Sequence, residues 1–422
     1  MLCLDEENSN SLSCFALSSL HSQKYVLCLD VVQMICDFCD LKTQIKLIQT
    51  CKEYEEYLKI RKLTCTYKIN PQITQEILRQ KKFDQLQYLN ASGNKKITNV
   101  NHLKYTLTEL NCDYIDYSNC CGIDQQGINE LQRLQILSAY NNKNIKHVTH
   151  LKDTLIELNC GGRYCRIRQT AIKELRKLQK LYALGNKRIT NVNHLKDTLI
   201  ELHCQRESGI KQKGINELQK LQKLYAAFNE KIINVNHLKD SLIELECSWL
   251  CGIPQEGIKE LRKLQKLDAS YNEKITDVNH LKDTLIELDC AFDCGIGQEG
   301  INELRKLQKL DADHNERITN VNHLKDTLIT LNCTQNCGIG QKGINELRKL
   351  QKINVWNNIK ITNVNHLKDT LIELDCTGDC GIDQEGINEL QRLLLLKAHG
   401  NKKITNVKPF ERYLNRVNLL SS

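Results

Sequence analysis

The sequence predicts an α/β solenoid, a horseshoe of about 15 short repeats with a parallel β-sheet on its concave face and a small all-α domain in front. The block NVNHLKDTLIEL, or a near copy, recurs every 43 residues, with its histidine at His194, His237, His280, His323 and His366. A fixed period of this size indicates units that bury their apolar faces only against their neighbours. Aromatic content of 5% and three prolines are typical of a leucine-packed array.

Each 43-residue unit contains two apolar half-units. The Asn-type half, residues 178–198, reads LQKLYALGNKRITNVNHLKDT and follows the pattern LxxLxAxxNxxIxxVxxL. The Cys-type half, residues 371–392, reads LIELDCTGDCGIDQEGINELQR and has cysteines in place of the alanine and the asparagine. Both halves resemble the leucine-rich repeat, in which LxxLxL opens with a short strand. The resemblance implies that alternate strand residues point into the solenoid and the others line its concave face.

Fifteen such frames can be counted. Asn-type frames begin near Leu86, Leu134, Leu178, Leu221, Leu264, Leu307, Leu350 and Leu393, and Cys-type frames near Leu107, Leu155, Leu199, Leu242, Leu285, Leu328 and Leu371. Fifteen parallel strands about 4.8 Å apart would give an inner face roughly 70 Å long. A face of that length is large enough to hold another protein.

The repeated polar residues are predicted to be framework. The asparagines at the ninth position of each Asn-type half should satisfy buried backbone groups as a ladder. Equivalent histidines and equivalent cysteines would lie two strands apart, about 10 Å, which is too far for a disulfide or for one zinc ion. We therefore expect no metal and no cofactor, and a buried thiol behaves as a small apolar group.

The segment before the repeats, residues 27–54, reads LCLDVVQMICDFCDLKTQIKLIQTCKEY and predicts short amphipathic helices. It resembles an F-box, the motif that binds Skp1 in cullin–RING ubiquitin ligases. Val31, Val32, Ile35, Ile45, Leu47 and Cys51 match the family pattern, so the resemblance assigns them to the Skp1 contact. The alternative is a helical cap that covers the first apolar edge of the solenoid.

One further resemblance supports the F-box interpretation, and another concerns the whole arrangement. The run CGIDQEGINEL at residues 380–390 is similar to the cysteine-containing leucine-rich repeat, which is common in F-box substrate receptors. The whole arrangement resembles leucine-rich repeat proteins of giant viruses of the mimivirus type. We divide the chain into residues 1–24 (N-terminal segment), 25–66 (F-box-like helices), 67–85 (linker and cap), 86–410 (leucine-rich repeats) and 411–422 (C-terminal cap).

Positions that differ between copies are the candidates for partner contact, because the frame itself hardly varies. The outward strand positions near the middle and end of the array are rich in acids and aromatic rings, which are favoured at interfaces. The candidates on the concave face are Tyr182, Tyr225, Glu246, Asp268, Tyr271, Asp289, Asp311, Asp313, Trp356 and Asp375. The net charge is +8, but an acidic face would repel a phosphate backbone.

The sequence therefore predicts a protein–protein interaction module, a monomer that holds a target on its concave face. With the F-box resemblance, this would be the substrate adaptor of a host Skp1–cullin–F-box ubiquitin ligase. The alternatives are a plain binding scaffold and a nucleic-acid binder that uses outer lysines. We find no nucleophile–base set and no phosphate-binding glycine loop, so no enzyme is expected. Without a signal sequence or an apolar span of about 20 residues, we expect a cytoplasmic protein with 21 cysteines as thiols.

Overall fold

The repeats form one parallel β-sheet in which each strand pairs with its neighbours in sequence. The computed structural model describes residues 28–116 and 120–406, and the backbone of 416–418. Within these residues the sheet has 17 strands. They are β1 Lys62–Thr64, β2 Tyr88–Asn90, β3 Glu109–Asn111, β4 Ile136–Ser138, β5 Glu157–Asn159, β6 Lys180–Tyr182, β7 Glu201–His203, β8 Lys223–Tyr225, β9 Glu244–Glu246, β10 Lys266–Asp268, β11 Glu287–Asp289, β12 Lys309–Asp311, β13 Thr330–Asn332, β14 Lys352–Asn354, β15 Glu373–Asp375, β16 Leu395–Lys397 and β17 Arg416–Asn418.

Each of the 15 predicted frames forms a strand, β2 to β16. The central residue of each strand, usually leucine, is buried, and its two neighbours point to the opposite face. This is the alternation expected of a sheet with one face on the core. The sheet begins one strand earlier than the sequence predicts, because β1 lies inside the range assigned to the F-box-like helices and pairs in register with β2.

After most strands the chain returns through single turns of 3₁₀-helix, because the 21 or 22 residues of most half-units leave no room for longer helices. After the Asn-type strands these turns are Asn101–Leu103, Thr149–Leu151, Asn193–Leu195, Asn236–Leu238, Asn279–Leu281, Asn322–Leu324 and Asn365–Leu367. After the Cys-type strands they include Gln212–Gly214, Gln255–Gly257, Gln298–Gly300, Gln341–Gly343 and Glu385–Ile387. Short α-helices occur at Gln75–Leu78 and Gln169–Ile172.

The predicted asparagine ladder is confirmed, and seven of its eight amides make the same three hydrogen bonds, whereas among the described residues Asn142 donates only to the carbonyl of Cys112. The buried Asn272 donates from Nδ2 to the carbonyl oxygens of Cys247 at 2.8 Å and Ile253 at 3.2 Å. Its Oδ1 accepts from the N–H of Lys274 at 3.0 Å. The same bonds recur at Asn94, Asn186, Asn229, Asn315, Asn358 and Asn401. The amides thus connect each Asn-type half to the Cys-type half before it.

The repeated histidines also belong to the framework, as predicted. Nε2 of His237 lies 3.0 Å from the carbonyl oxygen of Ile215, one half-unit back. Because a carbonyl oxygen only accepts, Nε2 must carry the proton. Equivalent bonds of 3.0 or 3.1 Å are made by His150, His194, His280, His323 and His366. Partial burial lowers the pKa of each of these imidazoles and so favours the neutral ring.

Three helices precede the sheet: α1 Leu29–Phe38, α2 Leu41–Ile48 and α3 Lys52–Tyr57. The Asp40 carboxylate caps α2 by accepting from the N–H of Thr43 at 2.7 Å. The Gln33 amide joins α1 to the chain before β1, because it donates to the Lys59 carbonyl at 2.9 Å and accepts from the Lys59 N–H at 2.8 Å. These helices therefore form one body with the first strand.

One continuous apolar core extends through the array, from Val32 and Ile48 of the helices to Ile404 after the last Asn-type strand. Leucine, isoleucine and cysteine supply most of it, and each layer packs only on its neighbours. Together with the parallel strands and the asparagine ladder, this arrangement is a leucine-rich repeat solenoid. Residues 1–24 and all of the proposed C-terminal cap, 411–422, except the backbone of 416–418 lie outside the described residues. None of the described helices has the length and apolar character required to cross a membrane.

Candidate protein-interaction surfaces

The cysteine columns are part of the core. Cys247, Cys290, Cys333 and Cys376 have no exposed surface, and burial raises the pKa of each thiol. The second cysteine of these four Cys-type halves is also buried, and burial raises the pKa of Cys251 to about 11. Every cysteine in the described ranges is a free thiol, and no group of three or more histidine, cysteine and acidic residues there could hold a metal ion. These thiols fill space, and their environment disfavours the reactive thiolate.

From β5 to β15 the first outward row of the sheet alternates between glutamate and lysine, apart from Thr330 on β13, and these residues form ion pairs across the strands. Lys266 Nζ lies 3.1 Å from a Glu244 oxygen and 4.0 Å from one of Glu287. Lys223 reaches Glu244 at 3.2 Å, and Lys352 reaches Glu373 at 2.7 Å. The lysines are about half exposed, so each pair stabilises the fold by less than about 1 kcal/mol. These pairs join neighbouring strands, and the row largely neutralises its own charge.

The second outward row, at the last residue of each strand, changes character along the array. Tyr182, His203 and Tyr225 lie in register on β6, β7 and β8, and their rings stack with centroids 4.3 and 4.0 Å apart. Nε2 of His203 lies 2.7 Å from Glu201 Oε1, yet burial still lowers the pKa of this imidazole. Two of the sequence candidates, Tyr182 and Tyr225, thus share one stacked cluster.

The same row continues as four carboxylates, which we call the acidic row: Glu246, Asp268, Asp289 and Asp311. Burial and the charges of Asp268 and Asp311 raise the pKa of Asp289 to about 7. Burial also raises the pKa of Glu246 and of Asp311. Among the described residues none of the four forms an ion pair. Their polar contacts are uncharged, such as the Ser270 hydroxyl on Asp268 at 2.7 Å.

Asp375, farther along this row, differs because Lys397 Nζ lies 3.4 Å from its Oδ2. The acidic face predicted from the sequence is therefore concentrated on β9 to β12, and Asp375 is already paired. Asp313 lies beside the acidic row and accepts a hydrogen bond from the hydroxyl of Thr334. His314 Nδ1 lies 2.8 Å from an oxygen of the same carboxylate.

Where the chain leaves β8 to β12, five rings form a continuous stack, which we call the aromatic ladder. Successive centroids are 5.1, 3.9, 4.3 and 4.9 Å apart. The ladder consists of Phe228, Trp249, Tyr271, Phe292 and His314. Of these, the sequence interpretation selected only Tyr271 as a candidate contact. The rings stack because they occupy the same position after successive, equally spaced strands. An alignment of the repeat copies already places aromatic residues together at this position.

Each ladder residue has a left-handed backbone, with φ between 55° and 59°. Other copies have Gly185, Gly378 or Gly400 at this turn, or Asn141 and Asn357, which tolerate this conformation. A bulky residue there costs about 1–3 kcal/mol, and ring stacking returns about 0.5–1.5 kcal/mol per pair. The turn itself thus does not require the rings. Trp356 lies apart, at the preceding position after β14, and is partly exposed.

An apolar stripe on α1 is the second candidate surface. Val31, Met34, Ile35 and Phe38 are 41%, 61%, 45% and 90% exposed, and their i, i+3, i+4, i+7 spacing places them on one face. We call this set the helix stripe. On the other face Val32 and Cys36 are buried in the core. The helix is therefore apolar on both faces, although only one of them is covered.

The sequence-predicted Skp1 contacts divide between these faces. Val31 and Ile35 belong to the helix stripe, and Cys51 is exposed at the start of α3. Val32 lies on the buried face and is unavailable to a partner while α1 stays packed. Ile45 and Leu47 are half-buried against the core. Met34 and Phe38 are missing from the prediction, although their helical spacing from Val31 could have revealed them.

Comparisons with known proteins yield likenesses of fold alone. No protein-family model matches the chain, and no curated protein matches it. Similar solved structures include an internalin of Listeria monocytogenes (19% identity over 76% of this chain and 89% of that chain, TM-score 0.47). A leucine-rich repeat protein of Leptospira interrogans is 21% identical over 78% and 93% of the two chains, with a TM-score of 0.48. The yeast Rad7–Elc1 complex is 14% identical over 96% and 98%, with a TM-score of 0.44. At these values the likenesses carry no information about partners.

Proposed function

We propose that this chain is a two-ended adaptor, which binds a Skp1-type protein through the helix stripe and holds a target protein on its sheet face. The observation that carries the proposal is the uncovered stripe, where four large apolar side chains follow one face of α1. Contiguous exposed apolar surface of this kind marks interaction sites in soluble proteins. A helix that only capped the core would need apolar residues on its buried face alone.

The sheet face supports the second half of the proposal. Leucine-rich repeats and other solenoids present extended surfaces of this kind to their partners. Here the face combines a repeated row of ion pairs with a variable set of rings and carboxylates, and the fold does not account for the variable set. If the resemblance to giant-virus repeat proteins holds, the ligase would belong to the host cell, and the target would be ubiquitylated there.

Nucleic-acid binding through the outer lysines receives less support. Lys282, Lys325 and Lys368 of the returning segments form ion pairs with Glu303, Glu346 and Glu389 at 3.2, 3.8 and 3.8 Å. A phosphate backbone would have to compete with these carboxylates for each lysine. Affinity for nucleic acid depends on neutralising phosphates with such cations.

The test measures binding of purified Skp1 to the full chain by isothermal titration calorimetry. We expect the double variant Met34→Asp/Phe38→Asp to weaken binding at least about 30-fold, the effect of losing roughly 2 kcal/mol at an interface centre. Because both side chains are exposed, the variant should keep its circular dichroism spectrum. Ile359→Asp is the matched control, since Ile359 is 69% exposed and lies far along the array.

Absence of Skp1 binding by the unmodified chain would contradict the ligase link. Equal binding by the stripe variant and the control would contradict the assigned surface. In the first case the chain would remain a candidate binding scaffold without a ligase, the alternative raised by its sequence.

A further inference from the structure

A strip of small side chains crosses the sheet face between the acidic row and the aromatic ladder. The residues between the two are small and buried on four consecutive strands: Ala227, Ser248, Ser270 and Ala291. On the flanking strands the same position holds the longer Gln205 and Asp313. No side chain of this strip therefore rises far above the sheet, and the strip is bounded at both ends.

The aromatic ladder forms one edge of this strip, and part of it is exposed to solvent. Phe228 and Trp249 are 40% and 42% exposed, although they stack on each other. Elsewhere in the array the same turn is made by glycine, asparagine, Arg206 or Gln335, so the fold does not demand rings here. Rings of this kind attract cations over their faces and accept the aliphatic stems of lysine and arginine.

The other edge is the acidic row, which determines the charge of the occupant. Within the described ranges none of its four carboxylates forms an ion pair, unlike Asp375 on the same row, and the charges of Lys266 and Lys309 act on them only at longer range. We propose that this strip, over β8 to β12, binds an extended segment of a partner protein that carries lysine or arginine at alternate positions. The positive groups would face the acidic row, while the stems lie along the aromatic ladder. This inference rests on the proposed function, because it specifies the chemistry of the target that the sheet face holds.

The spacing of the four carboxylates determines which positions of the bound segment should be basic. Four carboxylates on neighbouring strands span three strand separations, roughly 14 Å. Alternate side chains of an extended peptide repeat at about 6.6–6.8 Å, so residues i, i+2 and i+4 span about 13 Å. Three basic residues at alternate positions therefore match the row, whereas three contiguous ones would point to opposite faces of the peptide.

The test titrates the full chain with two synthetic peptides by isothermal titration calorimetry at low salt and pH 8, above the pKa of about 7 to which Asp289 is raised. One peptide has three lysines at alternate positions, and the other has the same composition with contiguous lysines. We expect the alternate peptide to bind at least about fivefold more tightly. The variant Asp268→Asn/Asp289→Asn should weaken its binding at least about tenfold, because asparagine keeps the oxygen that accepts from the backbone but removes the charge.

Two further variants separate the ring contribution from net charge. Trp249→Asn should also weaken binding at least about tenfold, and the turn should tolerate it because Asn141 and Asn357 adopt the same backbone. Asp283→Asn/Asp326→Asn removes the same charge from exposed positions in the returning segments and should leave affinity unchanged.

No binding of either peptide would overturn the inference, as would an equal loss in the charge control. Spermine bound as tightly as the alternate peptide would show a site for small polyamines and would also overturn it. Skp1 binding uses the other end of the molecule, so Asp268→Asn/Asp289→Asn should retain it. Failure of the peptide titration with intact Skp1 binding would therefore refute this inference alone.

Discussion

Removal of one rung of the asparagine ladder should destabilise the array far more than removal of an exposed amide. In Asn272→Ala, the carbonyls of Cys247 and Ile253 lose a donor, and the N–H of Lys274 loses its acceptor. A typical protein hydrogen bond contributes about 1 kcal/mol net, and each buried group left without a partner costs about 1–3 kcal/mol. We therefore expect a loss of about 3 kcal/mol in the free energy of unfolding.

The assay is urea unfolding followed by circular dichroism, combined with hydrogen exchange of the Lys274 amide. Hydrogen exchange is needed because repeat arrays can open locally, and the variant then loses more stability around residue 272 than global unfolding reports. Asn336→Ala is the control, since Asn336 is exposed in a loop of the same array, and we expect a change within about 0.5 kcal/mol. Asn272→Asp keeps the acceptor but buries a charge, so it should destabilise at least as strongly at pH 7. If Asn272→Ala and the control unfold at the same urea concentration, the ladder does not support the fold.

Three other predictions concern the framework and its titratable groups. Stability should fall as pH drops below about 6.5, because burial lowers the pKa of the repeated histidines and the unfolded chain takes up protons first. His237→Gln should therefore lose less stability than the unmodified chain between pH 7.5 and 5.5 in urea titrations. Asp289, whose pKa is raised to about 7, acts in the opposite direction, so Asp289→Asn should raise the melting temperature at pH 8 and change it little at pH 4. Gly295→Ala should lower the free energy of unfolding by more than about 2 kcal/mol, because the added Cβ would lie 2.3 Å from the Glu273 carbonyl oxygen. Gly185 has open space around it, so Gly185→Asn should change the free energy of unfolding by less than about 1 kcal/mol in the same urea assay.

The repeat made most of the fold predictable. The positions of β2 to β16, the asparagine amides and the histidine bonds all follow from a fixed frame, since each half-unit sees nearly the same neighbours. β1 was not predicted because its sequence lacks the full repeat pattern. Its pairing with β2 in the structure identifies it as a strand. Helical spacing also leaves open which of two apolar faces is buried. Packing decides that, and it places Val32 inside and Phe38 outside.

The candidate surfaces were predictable in part for the same reason. Strand register brought the acids of the second outward row together as expected, but the pairing of Asp375 with Lys397 depends on side-chain reach. The aromatic ladder required the left-handed backbone at each turn, which places Trp249 and Tyr271 face to face.

The central claim is that the helix stripe is a docking surface for a Skp1-type protein. Hydrogen–deuterium exchange of the full chain with and without saturating Skp1 tests it most directly. We predict slower exchange in Leu29–Phe38 on addition of Skp1, with the amides of β2 to β16 unchanged. Unchanged exchange in this helix, or protection that appears on the sheet strands instead, would contradict the claim.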